Sequence, residues 1–592
     1  MAFSRRELLR AGVPLTMVGL AGCSSNGNGG SGGGSTTAPP TQASTTRRQT
    51  TQSTTQQSTT QQQQQTDTSD SACESPVEVS GTITEDTTWD CDRYHMTGDV
   101  TVANGATLTV DSTVVDTAAD TLLSVGDGAT LVSTGTAELP TVFRSETHQP
   151  GSWKGIEVTA GSVEASFDNT IIRFGGAGGW ANVYLQNGAT AAFHRCMFDR
   201  SSTYGVHAEA NTGFTSFSDC SFLDNQSGSM RIPATAIPDL ELSTTYTNNN
   251  LPGKVVVDNE TVTQDATWPA IDRPYVFPDG ATIAAGVAVE AGTLCWFGQG
   301  SLLSVERGGV LDARGEAASP VRFVGEQTGT PGFWRGIEIV SNDRNSLSNT
   351  LVAGGGADGW ANVYVQNGGR VSIDNTSLVG SATYGLHAEA NTTLSTFEGV
   401  GFTRNQQGSM RIPLPSLGRV GPDTVFVDGG GENHIEVTDE TVTQPARWNL
   451  PDVPVHFPGN GRIRADVTVD PGATFTFAQG SLLSVEQGGS LHAVGGSAAD
   501  ETITFRGDAD VPGFWRGIEF VSLSPDNVLD SCEIANGGNG GWANVYVQSS
   551  GMATVQNSTL RDSSTAGIIA EDGASLTESG NTFSGNADGP IA

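Results

Sequence analysis

The sequence predicts an all-β solenoid, a chain wound into stacked coils, and three observations carry that expectation. The first is internal repetition: Trp89-Asp90, Trp268-Pro269 and Trp448-Asn449 recur about 180 residues apart, as does Leu-Leu-Ser-Val beginning at Leu122, Leu302 and Leu482. The second is a shorter period of about two dozen residues, seen in Phe167-x-x-Thr170-x-Ile172, Phe193-x-x-Cys196-x-Phe198 and Phe217-x-x-Cys220-x-Phe222. The third is local: short alternating runs put Val183, Leu185, Val206 and Ala208 on one face, with Gly, Asn and Asp between the runs. A unit of two dozen residues is too small to bury its own core, so the units must stack.

Residues 1–22 read as an export signal. A basic segment, Ser4 to Arg10, precedes an apolar run from Ala11 to Ala21 that is too short to span a bilayer. The Arg5-Arg6 pair and its leucines resemble the twin-arginine export signal, and Leu20-Ala21-Gly22-Cys23 resembles a lipobox. Together they imply a lipidated Cys23 and an anchored position on the extracellular face of the cell membrane. Residues 23–75, nearly all Ser, Thr, Gln and Gly, read as a disordered tether. The folded part then divides into three copies, 76–253, 254–433 and 434–592.

The chain of 592 residues carries a formal net charge of −35. Binding phosphate backbones needs clustered Lys and Arg, so nucleic acid is excluded as a partner. Lys154 and Lys254 are the only lysines, and this carboxylate-rich composition resembles that of proteins from extreme halophiles, where molar salt screens self-repulsion.

Seven cysteines is a sparse complement. Cys73 and Cys91 flank the start of the folded part and are a possible disulfide. Cys196 and Cys220 recur one coil apart, where either a disulfide or a buried apolar stack fits. Neither the cysteines nor the scattered histidines have zinc-site spacing, so no metal or other cofactor is expected. Sequons at Asn225, Asn259, Asn375, Asn391 and Asn557 suit an exported glycoprotein.

Further motifs repeat with the copies: Gly-x-Trp-x-Gly-Ile at Gly151, Gly332 and Gly513, threonine-rich openings from Thr82 and Thr261, and Pro-x-x-Phe at Pro140 and Pro320. With these motifs, nearly all of residues 76–592 resembles the right-handed parallel β-helix family, the pectate-lyase-like superfold of secreted proteins and polysaccharide lyases. The resemblance implies roughly 20 coils and a rod on the order of 100 Å at about 4.8 Å per strand. It implies fold far more than activity, because this superfold hosts lyases, hydrolases, epimerases and adhesins.

Aligning the coils by their inward residues gives a candidate site. With Ile156, Val183, Val206 and Met230 inward, Glu157, Tyr184, His207 and Arg231 face outward one coil apart, with Glu209 beside His207 and Asn182 beside Tyr184. The second copy repeats the set as Glu338, Tyr364, His387 and Arg411, with Glu389 and Asn362 alongside. The third keeps Glu519, Tyr546 and Glu571 but has Ile569 in place of histidine. Such a column suits proton transfer by His or Tyr, with Arg neutralising a uronate, as in polysaccharide β-elimination. It equally suits the polar ladder of a duplicated solenoid face. Trp180 and Trp360, with Asn182 and Asn362, are candidates for binding sugar rings, or for covering the core at turns. No calcium-binding Asp cluster or paired Asp run accompanies them. The composite expectation is a lipid-anchored surface protein that binds glycans or surface polymers without catalysis. The alternatives are a lyase or glycoside hydrolase acting on acidic polysaccharide, and a structural envelope spacer.

Overall fold

Alternation along each short run sends every second side chain inward, and the paired strands of neighbouring coils all run parallel. The computed structural model describes residues 73 and 76–592 apart from 127, 161–163, 249–252 and 428–432. The export signal, Cys23 and most of the tether lie outside the described residues. Ala72–Ala592 is one unit, a right-handed parallel β-solenoid of about 20 turns with almost no helix.

Each coil has three sides. In the first copy, one side stacks Leu122–Val125, Gly155–Val158, Val183–Leu185, Tyr204–Ala208 and Gly228–Pro233, and carries the candidate column. The side before it stacks Thr141–Ser145, Thr170–Arg173, Met197–Asp199 and Ser221–Leu223. The side after it stacks Thr130–Thr134, Glu164–Asp168, Thr190–His194 and Gly213–Ser218.

Inward residues of one side form ladders down the stack. Phe167, Phe193 and Phe217 follow one another with ring centroids 4.9 and 5.4 Å apart, and Phe198 stacks on Phe222 at 5.0 Å. The Gly-x-Trp-x-Gly-Ile motif closes a corner over this core. Trp153, Trp334 and Trp515 are fully buried, and each indole N–H donates to a carbonyl one coil on, at Arg173, Ala353 and Ala535. The second glycine of the motif is obligatory: at Gly155, with φ of +121°, a Cβ would lie 2.0 Å from the Ala181 carbonyl oxygen.

Two sequence expectations change here, those for the asparagines and for one sequon, while the cysteines take alternatives the sequence already offered. Asn182 and Asn362 do not face a ligand; both are completely buried. Asn182 accepts from the Gly175 N–H at 2.8 Å, a corner donor with no strand partner, and donates at 3.1 Å to the Asp199 carbonyl, which also accepts from the Phe174 N–H. Asn362 accepts from Gly355 and donates to Val379 in the same way. Asn225, one of the sequons, is also fully buried and donates to the Phe198 carbonyl, so its amide is inaccessible to a glycan, whereas Asn259, Asn375, Asn391 and Asn557 are exposed. Cys196 and Cys220 are buried free thiols. Cys73 and Cys91 form a disulfide, with Cα atoms 5.7 Å apart.

The copies do not stack in simple register. From Val255–Asp258 the second copy runs through twenty strands, then the 3-10 segment Leu414–Arg419, then Val425–Val427, which makes seven three-sided turns and one side over. Leu414–Arg419 takes the place of a strand, packing against Thr393–Glu398 of its own copy and Ala446–Trp448 of the next. The site strand Gly228–Pro233 therefore pairs with Val255–Asp258, and the sheet continues through Tyr275–Phe277, Leu294–Phe297 and Val321–Gly325. These belong to the side that precedes the site in the second copy. The next junction repeats the offset: Gly408–Pro413 pairs with Ile435–Thr438, then Val455–Phe457 and Thr474–Phe477 follow. The candidate columns of successive copies consequently occupy different sides.

Candidate functional site

Strand pairing sets the column one coil at a time. Glu157 stands opposite Tyr184, Tyr184 opposite His207, and His207 opposite Arg231. Glu338, Tyr364, His387 and Arg411 repeat those pairings.

Glu157 and Glu338, expected to be open, are covered at 9% exposure. Ser124 and Gln186 donate to the two carboxylate oxygens of Glu157, Ser304 and Gln366 to those of Glu338. Ser484 and Gln548 clasp Glu519 identically in the third copy, which has no histidine in its column. A clasp retained where the histidine is missing belongs to the wall of the solenoid rather than to a reacting group.

Above it lies an aromatic platform. Trp180 packs on Tyr184 at 4.9 Å between ring centroids, Tyr184 on His207 at 4.5 Å, and Tyr204 flanks His207 at 5.9 Å. The second copy gives 5.0, 4.6 and 5.9 Å for Trp360, Tyr364, His387 and Tyr384. Trp180 and Trp360 are partly exposed, so part of each indole faces solvent. The third copy keeps only Trp542 on Tyr546, at 4.7 Å.

Hydrogen bonds orient the platform. The Tyr184 hydroxyl donates to Glu209 at 2.6 Å and Tyr364 to Glu389 at 2.6 Å. Burial and then the neighbouring carboxylate push the Tyr184 phenol up to about 12, and the Tyr364 phenol rises for the same reasons. Burial first, and then the nearby Arg231, lowers the His207 imidazole from its ordinary value. Burial and Arg411 bring His387 to about 4. Both rings are neutral at pH 7, and among the described residues neither hydrogen-bonds a protein group.

The arginines are already paired. Arg231 Nε donates to both Asp258 oxygens, at 2.9 and 3.1 Å. Arg411 lies 3.0 Å from Glu436, which also accepts from the Tyr384 hydroxyl at 2.7 Å. Asp258 and Glu436 each come from the first strand of the following copy, so a column drawn within one copy misses them. The sequence signal available was a carboxylate in each of the opening strands, Val255–Asp258 and Ile435–Thr438.

His207, Glu209, Arg231, Asp258, Asn187 and Asn211 line an open cleft of about 700 Å³. The second copy has His387, Glu389, Arg411, Asn367 and Asn391 at the matching positions, with Thr438 for Asp258. Among the described residues no cluster of His, Cys, Asp and Glu has the arrangement of a metal site. Chemically the first cleft offers the His207 ring, carboxylate acceptors and an ion-paired guanidinium, with the Trp180–Tyr184 pair packed beside His207.

Residues 81–217 match the family model of the pectate-lyase-like β-helix domain. The match includes Glu157, Tyr184, His207 and Glu209 but ends before Arg231. No curated protein matches the chain.

Proposed function

We propose that the protein binds an uncharged, hydroxyl-rich polysaccharide at the cell surface, held to the membrane by a lipid on Cys23. The observation that carries this reading is the pairing of both arginines, Arg231 with Asp258 and Arg411 with Glu436. A lyase acting on uronates needs a cation available to neutralise the substrate carboxylate. Here that charge is already balanced, and Glu209 in the first cleft, or Glu389 beside the second platform, leaves each site net negative, which repels a polyanion. The ring faces of Trp180, Tyr184 and His207 suit the apolar faces of sugars, and Asn187, Asn211 and Glu209 suit hydroxyls. The lipid anchor rests on Arg5-Arg6 and Leu20-Ala21-Gly22-Cys23.

A second reading, a polysaccharide lyase or glycoside hydrolase, is favoured by the neutral imidazoles of His207 and His387 beside phenols, and by the pectate-lyase-like β-helix fold. In that case His207 or His387 acts as the proton acceptor.

One experiment separates these readings. The purified protein in molar salt is screened against neutral and acidic polysaccharides, following binding together with new reducing ends and the ultraviolet absorbance of unsaturated uronates. Binding of neutral polymers without turnover is expected. Cleavage that disappears in His207→Ala/His387→Ala establishes the enzyme instead, and silence in every channel leaves the role of an envelope spacer.

A further inference from the structure

We infer that the first copy's cleft and the matching aromatic platform of the second copy hold two separate polysaccharide chains, so that the protein cross-links its ligand. The inference rests on the polysaccharide-binding reading above and adds to it a geometry that no single copy shows.

Two equivalent sites on one side of a solenoid would form one long track. The extra side in each copy prevents this. The column of His207 and Arg231 continues on the same sheet as Val256, Val276, Trp296 and Val324, of which Val256, Val276 and Val324 are buried, so a ligand leaving the first cleft along the stack finds no second open site there. It does not reach Tyr364 or His387. Traced back from the second platform, the column runs from Glu338 to Ser304, Thr282 and Thr261, in a different sheet from the first platform. The cleft and the second platform thus lie on different sides, seven coils apart along the stack, or roughly 35 Å at about 4.8 Å per coil. A stiff chain that follows one side is carried past the other site, while a second chain is free to occupy it. The matching residues, His387, Glu389, Arg411, Asn367 and Asn391, favour the same class of ligand at both. Two sites for one polymer on different sides of a rigid body make a bridge between polymer chains.

The test uses the polysaccharide bound most tightly in the screen above, with a short oligosaccharide of the same composition. Calorimetric titration with the oligosaccharide is expected to give two sites per chain. Light scattering of the polymer is expected to rise with added protein, pass a maximum and fall when protein is in excess. Trp180→Ala and Trp360→Ala should each leave one site and abolish the rise, and retention of the remaining site shows that each variant is folded. Two sites with no rise in scattering would mean that one chain wraps both sites, and would overturn the inference. A rise that survives in both single-site variants would assign the bridging to self-association, and would also overturn it. No oligosaccharide binding would remove the polysaccharide reading itself, a failure distinct from either of these.

Discussion

Arg231 grips both carboxylate oxygens of Asp258, although the residue directly opposite it on the next strand is Val256. In the second copy the opposite residue, Glu436, itself supplies the acid, and Thr438 stands where Asp258 would be. The two copies reach the same neutralised cation from strand positions two residues apart. Charge balance at this point is thus a shared property of the two sites, reached by different residues.

Releasing the cation should change ligand preference. Asp258→Asn removes the negative partner and leaves Arg231 free to meet a uronate carboxylate. Affinity of the first cleft for a polyuronate should rise about tenfold, or ~1.4 kcal/mol, and the gain should shrink as salt is raised. Isothermal titration at two salt concentrations checks this; an unchanged affinity would show that the guanidinium is out of reach of the ligand.

The depressed imidazoles set an acid limit on stability. Above the ordinary value of 6.5, His387 is neutral in both folded and unfolded chains, so its contribution there is complete. As the pH falls from 6.5 towards about 4, the unfolded chain takes up a proton that the folded chain refuses, and stability declines. His207 acts in the same direction. Urea midpoints at pH 7 and pH 5 should therefore differ less in His387→Gln than in the natural protein.

Asn182 and Asn362 should behave as structural residues. Asn182→Ala strands the buried Gly175 N–H, while the Asp199 carbonyl keeps its bond from the Phe174 N–H, at a cost of about 1–3 kcal/mol. The expected result is a lower unfolding midpoint with unchanged polysaccharide affinity. Lost affinity at constant stability would restore a ligand-binding role to the asparagine.

Thiol counting tests the anchor and the core together. Cys196, Cys220, Cys295 and Cys532 are buried and free, and Cys73 is bridged to Cys91. No thiol of the native protein should react with a disulfide reagent, and four should react after denaturation without reductant. A fifth would identify Cys23 as unmodified.

The acidic surface should make folding salt-dependent. With a net charge of −35, repulsion between carboxylates is screened only at high ionic strength. The circular dichroism of strands should be lost at a lower temperature as salt is diluted from molar to millimolar, and an unchanged midpoint would remove the halophilic reading.

Much of this architecture was legible in the residues. Because strand side chains alternate and the coil length is nearly constant, matching inward residues placed Glu157, Tyr184, His207 and Arg231 in register, as the strand pairing has them. The same alternation rule misread Asn182. That residue sits at a corner immediately before its strand, where the backbone leaves alternation and demands a buried amide instead.

By itself the sequence determined the repeated copies, the coil and the outward column, because each leaves a periodic trace in residue type. Tertiary structure alone decided which outward groups stay open, which acid meets each arginine, and on which side each cleft lies. Burial of Glu157 depends on Ser124 and Gln186 from neighbouring coils. Pairing of Arg231 depends on a strand from the next copy. The change of side depends on the number of sides laid down in each copy, and a side made by the 3-10 segment Leu414–Arg419 carries no strand pattern by which to count it.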